Sequence, residues 1–380
     1  MQSKDGQVIN NLWVTSDQEL QDLSQELSGS TLAIDTEFTR RTTYYAKLAL
    51  IQIAAGDRRV LIDPLKIEDW QPLRDLFASA QTNIFHACLE DLEVFRTDMG
   101  SLPEPLFDTQ VAAAFCGLGD SLSYAALVEL LHDVQLSKAE TTSDWMKRPL
   151  SESQIGYALD DVEWLQQIHQ ELSSRLEQAG KLEWMQQHCN QTIENMRAEI
   201  DPSLAYLRLK GNWRLNLDEL RVAAHLCKWR EISARSLDKP KSWIVKDPVI
   251  LEVARRAPKD LSELEHRAGL APESLRRYGR QLLGEIETAH AEAEEVTAPP
   301  QPIDGAQRKE LKALQQRVEV LAQETKIANR LIASKSDLEA LIRWQAEDPN
   351  QPKPAMLKDW RAETLAESLM DGTAIRTGAV

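Results

Sequence analysis

Three short apolar segments near the N-terminus constrain the fold of this chain more than any other feature. Residues 31–38, 48–54 and 59–62 are rich in branched aliphatic side chains and are too short for helices, so we predict strands. Short links favour antiparallel pairing between them. A fourth predicted strand, 83–86, follows a helix near 69–79 and is therefore expected to lie parallel to its neighbour.

Helical signals surround these strands. After a predicted strand at 11–15, Ser16 and Glu19 form a capping box that starts a helix over about 17–28. From Glu90 onward the pattern is almost entirely helical. The front of the chain is thus predicted to be an α/β domain with a mixed sheet flanked by helices.

Two interruptions divide the rest of the chain. Asp201-Pro202 marks a break, and EAEEVTAPPQPI is acidic and then rich in proline, which is typical of a linker. Both regions that follow these breaks are helical. We predict an α/β domain, a small all-α helical module, a linker and a second, more divergent helical module, over 1–205, 206–290, 291–305 and 306–372 respectively.

Charge is distributed unevenly over these regions, although the whole chain has a formal net charge of −16. Residues 1–205 contain 15 Lys and Arg against 33 Asp and Glu, residues 206–287 contain 17 against 12, and residues 288–380 contain 12 against 15. The basic middle suits contact with a phosphate backbone. The acidic front is either a solvated surface or a set of carboxylates that hold divalent cations.

Composition excludes several protein classes. The four cysteines form no CxxC pair, which excludes a zinc knuckle and a small disulfide scaffold. The first residues lack a basic region followed by an apolar stretch, and the apolar run 48–55 is far too short for a membrane span. We therefore expect a soluble, reduced, cytoplasmic protein without membrane contact, and we infer no obligate protein partner.

Two acids interrupt the apolar strand LAIDTEF. Asp35 and Glu37 are two residues apart, so in a strand their side chains project from the same face. Adjacent like charges on a sheet repel, and a bound divalent cation would remove that repulsion. The alternative is a strand end that runs into solvent, with both acids hydrated.

A second acidic segment, HACLEDLEVF, follows a strand and opens a helix. Glu90, Asp91 and Glu93 fall in its first turns, where acids are ordinary partners of the helix dipole. Taken alone, this segment is interpreted as structural. His86 is interpreted as a core histidine with its hydrogen bonds satisfied.

A third segment carries a tyrosine and an aspartate. In the helix capped by Ser151 and Gln154, Tyr157 and Asp161 are four residues apart and share one face. An exposed tyrosine above an aspartate is the alternative interpretation.

Together the three segments form a specific pattern. A D-x-E strand, a D-x-x-x-F helix start and a Y-x-x-x-D helix resemble the tyrosine-bearing branch of the DEDD superfamily of 3′→5′ exonucleases. IDTEFTRRTTYYAKLALIQIA, FHACLEDLEVF and SDWMKRPLSESQIGYALDDVEWL are similar to the ribonuclease D family over residues 10–200. Residues 208–290 resemble a helicase-and-RNase-D C-terminal (HRDC) domain, and 306–372 a divergent second copy. Ala46 and Cys88 depart from the family pattern at non-catalytic positions.

The resemblance implies a ribonuclease-H-like fold and the hydrolysis of RNA from its 3′ end with two divalent cations, Mg²⁺ or Mn²⁺. In the family's arrangement, Asp35 bridges both ions, and Glu37 and Asp161 complete the ion that holds the attacking water. Asp91 supports the second ion, and Tyr157 orients the water. The implied partner is RNA, notably tRNA precursors, and the implied products are nucleoside 5′-monophosphates.

Elementary chemistry agrees with this ligand set. Carboxylate oxygens suit Mg²⁺ or Mn²⁺ better than Zn²⁺. A tyrosine with an ordinary pKa of about 10 is a poor base at neutral pH, so most of the activation of the water is assigned to the metal. In KSWIVKD, Trp243 and Lys246 are candidates for nucleic-acid contact, but Trp243 is assigned to the core because tryptophan is mostly buried. The basic residues predicted to contact substrate are Arg40, Arg41, Lys147, Arg148 and Lys246.

Two alternatives remain open. The same chemistry could act on DNA, since the 2′-hydroxyl decides between the two substrates and no residue is assigned to recognise it. A catalytically inactive RNA-binding scaffold is the other alternative. The complete set of five catalytic positions argues against that scaffold.

Overall fold

The protein is described by a computed structural model that covers residues 12–136, 140, 143–292, 295–346, 353–364 and 369. The chain divides into two units, each built from separate stretches of sequence. Unit 1 comprises Met1–Thr39, Lys47–Arg197 and Ile303–Val380, and unit 2 comprises Arg40–Ala46 and Ala198–Pro302.

A mixed sheet forms the centre of unit 1. Within the described residues it has six strands in the order β1-β4-β3-β2-β5-β6. Strands β2, β3 and β4 pair antiparallel, whereas β1 with β4, β2 with β5 and β5 with β6 pair parallel. The strands are β1 (Trp13–Val14), β2 (Thr31–Thr39), β3 (Lys47–Ala55), β4 (Arg58–Ile62), β5 (Thr82–Phe85) and β6 (Leu106–Asp108).

The predicted pairing of the central strands is confirmed, and one strand was missed. Eight consecutive residues of β3, from Leu48 to Ala55, are buried, because both of its faces are covered. The prediction that the chain is almost entirely helical after Glu90 did not include Leu106–Asp108, a three-residue strand that pairs parallel with β5. So short a strand leaves no periodic signal in the sequence. Position 11, where β1 was predicted to begin, lies outside the described residues.

Among the described residues before Ala198, unit 1 contains eight α-helices. The predicted capping box is present where α6 begins, since Ser151 and Gln154 cap each other's backbone. Where α1 begins, the Ser16 hydroxyl accepts from the N–H of Glu19 as predicted, whereas the Glu19 carboxylate accepts from the N–H of Thr15 at 2.7 Å. These helices are α1 (Asp17–Leu27), α2 (Gln71–Ser79), α3 (Leu89–Met99), α4 (Thr109–Phe115), α5 (Tyr124–His132), α6 (Glu152–Glu163), α7 (Leu165–Gln178) and α8 (Leu182–Arg197).

Unit 2 is helical and has its own apolar core. Asn216 and Glu219 form the predicted capping box at the start of its first α-helix, Leu217–Ser236. Side chains such as Leu226, Ile250 and Leu282 are fully buried between the helices. The helices are α9 (Leu217–Ser236), α10 (Lys241–Ile244), α11 (Asp247–Arg256), α12 (Leu261–His266) and α13 (Pro272–Ala291).

The link between β2 and β3 belongs to unit 2, although both strands belong to unit 1. The Tyr44 hydroxyl donates to the Glu231 carboxylate on α9. The backbone N–H groups of Tyr44 and Tyr45 both donate to Asp238, at 3.0 and 3.1 Å. Residues 40–46 are therefore fixed on the helical unit by a charge-assisted network that the sequence did not indicate.

The C-terminal helices pack on the α/β part of unit 1. The N–H of Ala328 donates to the carbonyl of Ala114 at 2.9 Å. The Trp360 ring stacks on Trp184 with 5.6 Å between centroids and lies 5.0 Å from Phe115. The helices are α14 (Gly305–Thr325), α15 (Asn329–Ile332), α16 (Lys335–Ala346) and α17 (Trp360–Thr364). The predicted end of this module at 372 lies outside the described residues.

None of the helices in the described ranges is both long and apolar enough to cross a bilayer.

We expect Trp360→Ala to lower the free energy of unfolding by about 3 kcal/mol, because the ring is 4% exposed and its removal leaves a cavity against Phe115 and Trp184. Urea unfolding followed by circular dichroism measures the change. Trp243→Ala is the matched control, since Trp243 is 55% exposed and its loss should cost less than about 0.5 kcal/mol. Equal effects of the two substitutions would contradict the packing described for Trp360.

Candidate active site

Three carboxylates from two elements meet beside the central sheet. Asp35 and Glu37 lie on one face of β2, and Asp161 comes from α6. Each offers one oxygen such that all three oxygens lie within 4.8 Å of one another. Two acids on one face of a strand and one acid from a facing helix therefore form a compact acidic group.

The fourth predicted ligand, Asp91, lies nearby but outside this group of three. It is buried in the first turn of α3, and its Oδ1 accepts a hydrogen bond from the Thr36 hydroxyl at 2.5 Å. Its charge still contributes to the raised pKa values of Asp35 and Glu37. The four acids are thus close enough for their charges to interact, and the hydrogen bond from Thr36 fixes the position of the Asp91 carboxylate.

Crowding and burial raise the pKa values of all four acids. Burial is the main cause for Asp35, whose pKa is raised well above its ordinary value, and the charges of Asp161, Asp91 and Glu37 add to it. Burial and the charges of Asp161 and Asp91 raise the pKa of Glu37 to about 8. Burial likewise raises the pKa values of Asp91 and Asp161 to about 7. Burial and neighbouring negative charge both disfavour the ionised form of a carboxyl group, which is why these pKa values are raised.

The donor set fits a divalent metal ion. The three oxygens are close enough to share one cation, and carboxylate oxygens are the ligands that Mg²⁺ and Mn²⁺ prefer. Within the described parts of the chain, this is the only group of three or more acidic, histidine or cysteine side chains with ligand atoms this close. A bound cation would reverse the pKa shifts by favouring the ionised carboxylates.

Tyr157 lies one helical turn before Asp161 on α6. Its hydroxyl lies beside the Asp161 carboxylate, close enough to influence the pKa of that acid, and its ring lies 6.1 Å from that of the buried Trp145. Burial raises the pKa of the Tyr157 hydroxyl above its ordinary value, and the charge of Asp161 adds to this effect. The hydroxyl therefore stays protonated at neutral pH and can donate or orient but cannot serve as a base.

Two polar residues that sequence reasoning missed hold these elements in place. The Tyr124 hydroxyl donates to the carbonyl of Asp160 and accepts from the N–H of Trp164, both at 3.0 Å, which fixes the end of α6. Asp108 accepts from the N–H groups of Ala87 and Cys88, at 3.1 and 3.0 Å, just before α3. Asp108 also caps α4, and an aspartate before a helix in LFDTQ was the available signal.

The predicted substrate contact Arg148 is engaged inside unit 1. Its guanidinium forms a bidentate pair with Asp63, at 2.7 and 2.8 Å, and also donates to the carbonyls of Ala49 and Trp145. Burial alone would raise the pKa of Asp63, but the hydrogen bonds and charge of Arg148 outweigh it and lower that pKa. These contacts favour a structural role for Arg148 over the predicted contact with substrate.

The other predicted substrate contacts are exposed, and their roles stay predictions. Arg40 and Arg41 lie in the segment assigned to unit 2, Lys147 precedes α6, and Lys246 precedes α11. The assignment of Trp243 to the core is wrong, because its side chain is 55% exposed. His86 is satisfied as expected, with its ring nitrogens 2.9 Å from the Thr109 hydroxyl and 3.0 Å from a backbone carbonyl.

Comparisons with known proteins agree with this geometry. Family models described as 3′-5′ exonuclease, HRDC domain and Ribonuclease D, C-terminal HRDC domain match residues 11–177, 219–286 and 306–369. Ribonuclease D of Pseudomonas paraeruginosa is 37% identical over 343 residues, which cover 90% of this chain and 91% of that protein. Ribonuclease D of Escherichia coli is 35% identical over 369 residues, covering 95% and 98%.

A solved structure extends the agreement to three dimensions. The crystal structure of Escherichia coli RNase D, described as an exoribonuclease involved in structured RNA processing, aligns with a TM-score of 0.86 at 34% identity. The alignment covers 95% of this chain and 98% of that one. A mixed sheet flanked by helices, followed by helical HRDC domains, defines a 3′→5′ exonuclease of the HRDC-bearing class. The chain belongs to the ribonuclease D family, and it is accordingly an exoribonuclease, a hydrolase of phosphodiester bonds.

We expect Arg148→Ala to lower the free energy of unfolding by about 2–3 kcal/mol, because it leaves the carboxylate of Asp63, which is 5% exposed, without its charged partner. Lys147→Ala removes an exposed charge next to it and should change stability by less than about 0.5 kcal/mol. Urea unfolding of both variants measures this difference. An Arg148→Ala variant with unchanged stability but weakened RNA affinity would instead support contact with substrate.

The raised pKa values predict a pH-dependent stability for the metal-free protein. In the folded state Glu37 holds its proton up to about pH 8, and Asp91 and Asp161 hold theirs up to about pH 7, whereas unfolded acids lose theirs near pH 4. The folded state therefore binds more protons between these limits, and its melting temperature in EDTA should fall as the pH rises from 4 to 8.

Magnesium should flatten this pH dependence, since it offsets the repulsion that the ionised acids create. Asp161→Asn is the matched variant, because it removes one of the repelling charges and should also reduce the slope in EDTA. Melting curves at each half unit of pH, with and without 10 mM Mg²⁺, make the comparison. Identical slopes in EDTA and Mg²⁺ would show that these acids do not form one site.

Proposed function

We propose that this chain removes nucleotides one at a time from the 3′ end of RNA, using two divalent cations held by Asp35, Glu37, Asp91 and Asp161. The observation that supports this proposal best is the meeting of three carboxylate oxygens within 4.8 Å, with Asp91 beside them. We propose Mg²⁺ or Mn²⁺ as the ions, because all of these donors are oxygens.

Bound ions would supply an activated water and neutralise the charge that develops on the scissile phosphate. The chain's own residues would place these components. Asp35, which neighbours each of the other acids electrostatically, would contact both ions, and Glu37 and Asp161 would complete the ion that holds the water. Asp91, restrained by Thr36, would support the second ion.

We propose that Tyr157 orients the attacking water. Its hydroxyl lies against Asp161, a proposed ligand of the ion on that side, and its raised pKa keeps the proton in place. A neutral donor can fix the direction of a water lone pair without removing a proton. Asp161 would then be the residue that couples the position of the ion to the position of the tyrosine.

The proposed substrates are structured RNAs with single-stranded 3′ ends, in particular tRNA precursors, and the proposed products are nucleoside 5′-monophosphates. The crystal structure of the Escherichia coli relative is described in terms of structured RNA processing, which supports this class. The surplus of basic residues in 206–287, 17 against 12 acids, suits contact with phosphates. We also propose a cytoplasmic location and the domain division 1–205, 206–290, 291–305 and 306–372.

Incubation with 5′-labelled oligonucleotides tests the proposal. RNA and DNA strands of the same sequence are incubated with Mg²⁺, Mn²⁺ or EDTA, and the products are separated on a gel. A ladder that shortens by single nucleotides from the 3′ end of RNA, and that EDTA abolishes, is the expected result. Asp35→Asn is the matched control and should give no ladder; faster shortening of DNA than RNA would move the proposal to the alternative substrate.

Tyr157→Phe and Asp161→Asn should separate orientation of the water from metal binding. Tyr157→Phe removes only a hydroxyl and should lower kcat on the order of 10²-fold without moving the Mg²⁺ midpoint, the scale of one positioned catalytic group. Asp161→Asn should lower activity and also raise the Mg²⁺ midpoint. Metal titrations of RNA cleavage measure both parameters. A Mg²⁺ midpoint shifted equally in the two variants would place the tyrosine in support of the metal ligands.

A further inference from the structure

An exposed tryptophan marks a surface of unit 2 that the catalytic proposal does not use. Trp243 lies on the short helix α10 with 55% of its side chain exposed, whereas the next residue, Ile244, is 1% exposed. The segment is therefore anchored by its isoleucine and presents its indole to solvent. A large exposed aromatic ring on an ordered segment is a common feature of binding surfaces.

The indole forms one wall of a cleft between α10 and the start of α13. The cleft has a volume of about 370 Å³, comparable to that of a small ligand site. Its floor includes Tyr278, which is only 6% exposed and packs edge-to-face on Trp229 with 5.7 Å between centroids. Its lining includes Lys239, Trp243, Glu273, Ser274, Arg277 and Tyr278.

Two cations accompany the two aromatic rings. The Lys239 ammonium lies 5.9 Å from the centroid of Trp243, and the Arg277 guanidinium lies 5.7 Å from the centroid of Tyr278. Among the ion pairs of the described residues, neither cation is paired with a carboxylate, although Glu273 also lines the cleft. The cleft thus combines flat apolar surface with positive charge available to an anion.

We propose that this cleft binds a nucleotide of single-stranded RNA, with its base stacked on Trp243 and its phosphate contacted by Lys239 and Arg277. Stacking on an aromatic ring needs an unpaired base, and cations beside the ring provide the charge for the backbone. An apolar segment of a protein partner would leave both cations without a counter-charge. The inference rests on the proposed function, since it assigns a second RNA contact to the same enzyme.

Binding of a labelled single-stranded RNA 12-mer, measured by fluorescence anisotropy in EDTA, tests the proposal without turnover. Trp243→Ala should weaken binding about tenfold, within the range for loss of one stacked base. Trp243→Phe retains an aromatic face and should weaken it less than about threefold. Lys239→Ala and Arg277→Ala should each lower the slope of log affinity against log salt by about 0.7, one phosphate contact each.

Arg276→Ala is the matched control for charge. Arg276 is exposed on the same helix as Arg277 but does not line the cleft, so its loss should leave the salt slope unchanged. Blunt-ended duplex RNA is the control for stacking, since its bases are already stacked and Trp243→Ala and Trp243→Phe should bind it equally. Melting temperatures of all variants verify that the fold is retained.

Several results would overturn the proposal. If the Trp243→Ala variant binds single-stranded RNA with wild-type affinity, Trp243 does not stack on a base. If Arg276→Ala and Arg277→Ala lower the salt slope equally, RNA contacts the general positive charge of this surface and not the cleft. An equal loss on duplex RNA would show that no unpaired base is recognised. Failure of the proposed function is distinguished separately, because it is measured as absent cleavage of RNA by the wild type in Mg²⁺, whereas the cleft is tested by binding without metal.

Discussion

The repulsion among four carboxylates is the interaction on which the rest of this site depends. Asp35 and Glu37 project from one face of β2, and α6 brings Asp161 against them. Such a group is unfavourable unless protons or cations neutralise it; together with burial, the charges of Asp161 and Asp91 raise the pKa of Glu37 to about 8. The fold must therefore hold these acids together by contacts made elsewhere.

Those contacts are hydrogen bonds made to the acids or to the strands and helices that carry them. Thr36 donates to Asp91, Tyr124 fixes the end of α6, and Asp108 binds two backbone N–H groups before α3. Each anchors an element that carries an acid. A site whose acids are positioned by the fold needs little reorganisation when cations and substrate bind.

Much of the fold and most of the acidic group could be predicted from the sequence, because both depend on local periodicity. The alternation in LAIDTEF places Asp35 and Glu37 on one face, and the four-residue spacing does the same for Tyr157 and Asp161. The three-residue strand β6, the pairing of Arg148 with Asp63 and the exposure of Trp243 could not be predicted, since each depends on contacts between distant segments. Residue type alone favoured a buried tryptophan and a free arginine.

Unit 2 is inserted into unit 1 along the sequence, so segments that fold together are not contiguous in the chain. The stretches Lys47–Arg197 and Ile303–Val380 belong to the same unit. They are joined by the packing of Trp360 on Phe115 and Trp184 and by the hydrogen bond from Ala328 to Ala114. A protease that cuts the chain only between these two stretches would leave them associated through these contacts. The nicked protein would elute as one species under native conditions and divide into two fragments only in denaturant, so fragment size on a denaturing gel would misreport the units that fold together.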